Sequence, residues 1–213
     1  MKANAIYVLS FFIIAVLYGC TLIKPSTTDA QSDVDDSGQG YQAAFDTWTR
    51  EGRIYDGLDV RLISAATYMS NQFRKAFAAE YARLYKMTEL EKDKFAKDQE
   101  TAEAAYEDFI FAAYVPEKQW DDFYKKNSIW KIYITRDDTE QIQPVEIRKL
   151  DKRDAKTGYF YSFVTPWKSI YRIRFPKLFA ADDTKTLHEN APRSFKLVVT
   201  SVLGSVEMAW NIN

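Results

Sequence analysis

Few side chains in this 213-residue sequence are of a type that does chemistry unaided. Cys20 is the one cysteine and His188 the one histidine. A single thiol excludes an intrachain disulfide and a thiolate metal cage, and a single imidazole excludes the multi-histidine clusters of most zinc and non-haem iron sites. Any metal would need oxygen ligands. The nearest approach to such a site is Asp33-Val34-Asp35-Asp36-Ser37-Gly38, which repeats the first half of a calcium loop. Its twelfth position is Ala44, where a bidentate Glu belongs, so the motif reads as a solvated acidic stretch. A Ser-His-Asp triad would have to be built on His188, which stands in a polar segment with Asp182, Asp183 and Lys185 and reads as a loop residue. No glycine-rich phosphate loop, nucleophile elbow or zinc-protease helix occurs. The acid pairs Asp121-Asp122 and Asp182-Asp183 each give at most one carboxylate to a site, because neighbours on a strand point to opposite faces. A glycosidase needs two carboxyls set several ångströms apart across a sugar. The sequence therefore assigns no catalytic residue, no metal ligand and no cofactor.

What remains is aromatic. Of the five tryptophans, Trp130 and Trp210 stand in register with apolar neighbours and are expected in the core. Trp48, Trp120 and Trp167 fall near expected strand ends or turns and are the candidates for a ligand-facing aromatic surface. Arg172 and Arg174 flank Ile173 and form, with Lys168, a modest basic stripe that a solvated sheet face explains without a ligand.

The elements that would carry these residues follow from periodicity. Asp56-Gly57 between Ile54-Tyr55 and Leu58–Leu62 marks a hairpin within residues 46–68, with Leu58, Val60 and Leu62 on one face. Phe73, Ala76, Phe77, Tyr81 and Leu84 then recur at helical spacing, and Thr88 with Glu91 forms a capping box opening a second, highly charged helix on which Leu90 and Phe95 are the packing stripe. Strand patterns return at Phe109–Val115, apolar on both faces like a central strand, and at 128–135, 145–148, 159–164, 171–175, 195–200 and 206–212. Val206, Met208, Trp210 and Ile212 form a core-facing row, so the last strand is integral. The expected fold is α+β, mainly β: an antiparallel β-sandwich, Ig-like or similar, of eight or nine short strands, with a helical pair inserted at about 70–104.

Composition fits one folded domain, with 46% hydrophobic and 15% aromatic residues. A net charge of −1 gives no basic face for nucleic acid, and none is expected as a partner.

The first residues differ from the rest. Met1-Lys2 precedes an apolar run from Ala5 to Leu17 broken only by Ser10, the pattern of a cleaved secretory signal. Leu17-Tyr18-Gly19-Cys20 resembles the lipobox of bacterial lipoproteins, although Tyr18 stands where that pattern carries a smaller residue. The resemblance implies lipid attachment at Cys20 and cleavage before it, and Thr21, in place of Asp, favours the outer membrane in a Gram-negative host. From Lys24 to Gly40 the polar composition is that of a tether. The expected organisation is a signal peptide at 1–19, a lipidated cysteine and tether at 20–40, and one sandwich domain at 41–213. The expected partners are a membrane, through the lipid, and an envelope protein. Anchor, tether and absent catalytic groups together suggest a non-enzymatic cell-envelope binding or accessory module. The alternative is a domain that binds or acts on envelope polysaccharide or peptidoglycan.

Overall fold

The computed structural model describes residues 36–136, 140–178 and 193–212. Cys20, the signal-like segment and His188 with Asp182-Asp183 lie outside the described residues.

Two antiparallel sheets form the frame, and the molecule is an α+β, mainly β sandwich. The strands are β1 (Thr49–Asp56), β2 (Asp59–Tyr68), β3 (Tyr106–Tyr114), β4 (Lys131–Arg136), β5 (Glu140–Ile142), β6 (Glu146–Lys149), β7 (Ser169–Pro176), β8 (Arg193–Ser201) and β9 (Gly204–Ile212). One sheet has the order β1-β2-β3-β7-β6 and the other β5-β4-β8-β9. The doubly apolar segment Phe109–Val115 is indeed central, since β3 pairs with β2 on one side and β7 on the other. Its side chains alternate between two environments. Phe109 meets Phe195 and Trp210 of the facing sheet at ring-centroid distances of 6.0 and 5.4 Å. Asp108, one position away, turns to the opposite face and pairs with Arg74 of the helical layer at 3.0 Å.

That layer contains α1 (Asp36–Trp48), α2 (Asn71–Leu84), α3 (Glu89–Ala105) and the short α4 (Ala155–Phe160). The helical pair stands where the periodicity put it. Ser70 caps α2 by accepting from the Phe73 amide, and Thr88 and Glu91 form the reciprocal capping box of α3. Phe73 is buried, but so are Arg74 and Glu80 on the same helix. Asp108 Oδ2 accepts from both Arg74 and Arg174, and Oδ1 accepts from Arg174 Nε at 2.8 Å. Glu80 accepts from Arg83 at 2.7 and 2.9 Å and from the Tyr159 hydroxyl at 2.6 Å. These hydrogen bonds hold the Glu80 carboxyl below its ordinary range, the arginine contributing most.

Several expectations are corrected. Helix α1 begins at Asp36, inside the stretch read as a tether, and runs through the start of the expected hairpin. Tyr41, Ala44, Phe45 and Trp48 are its buried stripe, at the i, i+3, i+4, i+7 spacing of an amphipathic helix. Residues 159–164 are the end of α4 and a turn, because Asp154 caps the segment and the Tyr161 amide donates to the Thr157 carbonyl. Short aromatic runs signal burial without choosing a period. Leu58 leaves the face assigned to it: Asp56 pairs with Asp59, a bulge intervenes at Ile54/Tyr55, and Leu58 caps the turn fully exposed beside Gly57 at φ 60°. Leu90 is exposed as well, and α3 packs through Phe95 on Tyr81 at 4.7 Å. The arginines of the basic stripe are partnered: Arg174 bonds Asp108, and Arg172 bonds Glu146 at 2.7 Å. The final row holds its place, with Met208 and Trp210 buried and Val206 and Ile212 packed against the core.

Candidate functional site

The aromatic segment at the end of α4 leads into the candidate surface. Phe160, Tyr161 and Phe163 are all buried. Phe160 lies edge-on to Tyr41 of α1 at 5.4 Å, and the Tyr41 hydroxyl donates to the Phe160 carbonyl. Tyr161 packs on Phe73 and donates to the Met69 sulfur at 3.6 Å, while Phe163 stacks on Phe45 at 5.8 Å. Burial pushes the Tyr161 phenol well above its ordinary value, so it stays neutral.

The chain then turns. The Lys168 amide donates to the Thr165 carbonyl at 3.1 Å, closing a four-residue turn, Thr165-Pro166-Trp167-Lys168. Pro166 fixes the first central position, and its carbonyl accepts from Lys152 Nζ. Trp167 occupies the second, with 79% of its surface exposed. Beside it lies an open cleft of about 440 Å³ lined by Ile63, Tyr114, Thr165, Trp167 and Lys168. Ile63 and Tyr114 are cross-strand neighbours of β2 and β3, so the floor is rigid sheet. Lys168 is half-buried, and among the described residues its ammonium has no hydrogen-bonded or ion-paired partner. Desolvation lowers its pKa below the ordinary value, while the nearby Glu51 and Arg53 act in opposite directions.

The other two candidate tryptophans stand elsewhere. Trp48 is 8% exposed, its indole N–H donates to Gln72 at 3.0 Å, and its edge borders a different cleft with Arg50 and Asn71. Trp120 is half-buried on a single 3-10 turn, and its carbonyl accepts from the Trp130 indole at 2.7 Å. Neither lines the Trp167 cleft. A turn signature singles it out in the sequence, Pro followed by Trp between polar residues.

A second polar cluster escaped sequence reasoning. Asp121 accepts from the Ser169 and Tyr171 hydroxyls, the latter at 2.8 Å, and pairs with Lys149 at 3.5 Å. A carboxylate on a serine hydroxyl is a nucleophile-and-base pairing in principle. Here Ser169 is buried and every oxygen of Asp121 is already engaged, so the cluster fastens the 117–128 loop to β6 and β7. Its neighbour Asp122 accepts from Ser128 at 2.8 Å. Among the described residues no three His, Cys, Asp or Glu side chains form a group able to hold a metal. Among them, too, no helix is long and apolar enough to cross a membrane.

Compared with protein-family models, curated proteins and solved structures, the chain matches none.

Proposed function

We propose that this protein is a lipid-anchored module of the cell envelope that binds an envelope component through the Trp167 cleft. The lipobox-like Leu17-Tyr18-Gly19-Cys20 supplies the anchor, and the body from Asp36 onward supplies the binding surface. The observation that carries the reading is the exposed indole on a proline-fixed turn, since a segment that buries Phe160, Tyr161 and Phe163 leaves the large Trp167 side chain in solvent. An ordered, exposed aromatic group costs little entropy to engage, which is how rigid aromatic anchors gain affinity. Binding without chemistry is supported by the use of the buried carboxylates: Glu80, Glu107 and Asp108 are each engaged by structural partners. In a Gram-negative host the outer membrane is the expected address.

The test is made in cells. Palmitate labelling and membrane fractionation of the full-length protein should fail in Cys20→Ala. A photo-crosslinking residue at position 167 should capture one envelope component, and the same residue at Leu90 should not. A Cys20→Ala variant that labels and fractionates normally would sink the anchor. Equal capture from both positions, or none from 167, would sink the cleft.

A further inference from the structure

The shape and polarity of the cleft specify its occupant further, and this step rests on the binding reading above. A cleft this open cannot enclose an apolar molecule, so hydrophobic burial alone gives a small ligand little. It does bring an exposed indole, that of Trp167, together with three residues that carry polar groups, Thr165, Tyr114 and Lys168. A sugar ring has the complementary construction, an apolar C–H face with hydroxyls around its edge. Lys168 adds a sign. An ammonium half-withdrawn from water with no partner carries a desolvation cost that an incoming anion relieves, and a charge-assisted hydrogen bond formed there is among the stronger polar contacts available. The nearest carboxylate, Glu51, is paired with Arg53 at 3.0 Å, so the acid closest to Lys168 is engaged elsewhere.

We propose that the Trp167 cleft binds an anionic sugar residue, its ring stacked on the indole of Trp167 and its carboxylate or phosphate paired with Lys168. The turn is preorganised for this. Pro166 and the Lys152 contact hold Trp167 outward, and the sheet floor of Ile63 and Tyr114 sets the depth. Binding therefore requires no rearrangement of the fold.

Indole resonances test the assignment. Trp48, Trp130 and Trp210 have indole N–H groups bonded within the protein, to Gln72, the Trp120 carbonyl and the Trp48 carbonyl. Full-length protein in detergent is titrated with trigalacturonate, glucose monophosphate, maltotriose and inorganic phosphate, following the five indole cross-peaks. Trp167→Phe assigns one peak. That peak should move with trigalacturonate or the sugar phosphate, and whichever acts at lower concentration distinguishes a uronate source from a phosphorylated one. Lys168→Met should weaken the anionic sugar by about tenfold, the size of one charge-assisted contact, and leave any maltotriose response within about twofold. Trp167→Ala, a surface change that should leave the thermal midpoint unaltered, should abolish binding. Inorganic phosphate moving the peak as well as the sugars would overturn the sugar assignment. Maltotriose binding equally, with Lys168→Met silent, would overturn the anionic one. If no carbohydrate moves the peak while crosslinking at 167 still captures a protein, this inference fails and the binding module stands.

Discussion

The two faces of the five-stranded sheet are covered by materials of different character. Toward the other sheet, Phe109, Phe175, Phe195 and Trp210 interlock ring against ring, with Phe195 stacked on Trp210 at 5.5 Å. Toward the helices, the contact is partly ionic: Arg74 and Arg174 converge on Asp108, and within the helical layer Glu80 gathers Arg83 and Tyr159. The first kind of layer depends on volume and tolerates no vacancy. The second depends on complete pairing, and its net contribution is small while all partners remain. One layer supplies stability and the other fixes where the helices and the Trp167 turn sit.

Substitutions can break or sharpen that contrast. Trp210→Ala, at 1% exposure, should cost about 4 kcal/mol in urea unfolding through lost burial and the cavity left behind. No apolar substitution elsewhere should restore it, and a loss under about 1 kcal/mol would show the layer to be loosely packed. Asp108→Ala should cost about 3 kcal/mol by stranding two guanidinium groups. Replacing Arg74, Asp108 and Arg174 together by Met, Leu and Met should be neutral or stabilising, and a triple variant as weak as the single one would contradict the ionic account.

Glu80→Gln comes next, at about 1–2 kcal/mol near pH 7. Because the folded carboxyl titrates below its unfolded value, its stabilisation is complete above about pH 4.3 and disappears as pH falls through the lower folded value. The gap between wild type and Glu80→Gln should thus close on acidification, and a gap that widens would refute the sign. Thr88→Ala should cost least, about 1 kcal/mol, and should raise amide exchange in the first turn of α3 more than anywhere else.

The sheet–sheet layer was legible because its chemistry repeats every second residue. Trp130 to Ile134 and Met208 to Trp210 gave face and burial together, Phe109–Val115 gave a central strand by being apolar throughout, and the capping box at Thr88 gave a helix start. The helical layer was less so. In α1 the stripe at Tyr41, Ala44, Phe45 and Trp48 followed a polar stretch, and only its last member fell within the expected hairpin, so its period went unread. The pairing of Asp108, Glu80 and Arg74 left no mark in the sequence, since nothing local announces a partner dozens of residues away. The same holds for the site. Trp167 was visible as a tryptophan near a turn, whereas Ile63 and Tyr114 reach it only through strand pairing.

The side on which β1 approaches β9 has a consequence for the protein's behaviour at high local concentration. Gly52 lies where a side chain would strike Val206 at 2.5 Å, Gly204 sits against Ile54 at φ 129°, and Arg50 bonds the Ala209 carbonyl at 3.0 Å. Two long edge strands therefore shield each other. Among the described residues the edges left over are β5 and β6, both short and both supplied by the single stretch 140–149, which carries Pro144 and the charges of Glu140, Glu146, Arg148 and Lys149. Short, charged, proline-flanked strands are poor templates for recruiting another chain. Molecules of this protein crowded together should thus remain separate rather than join into a continuous sheet.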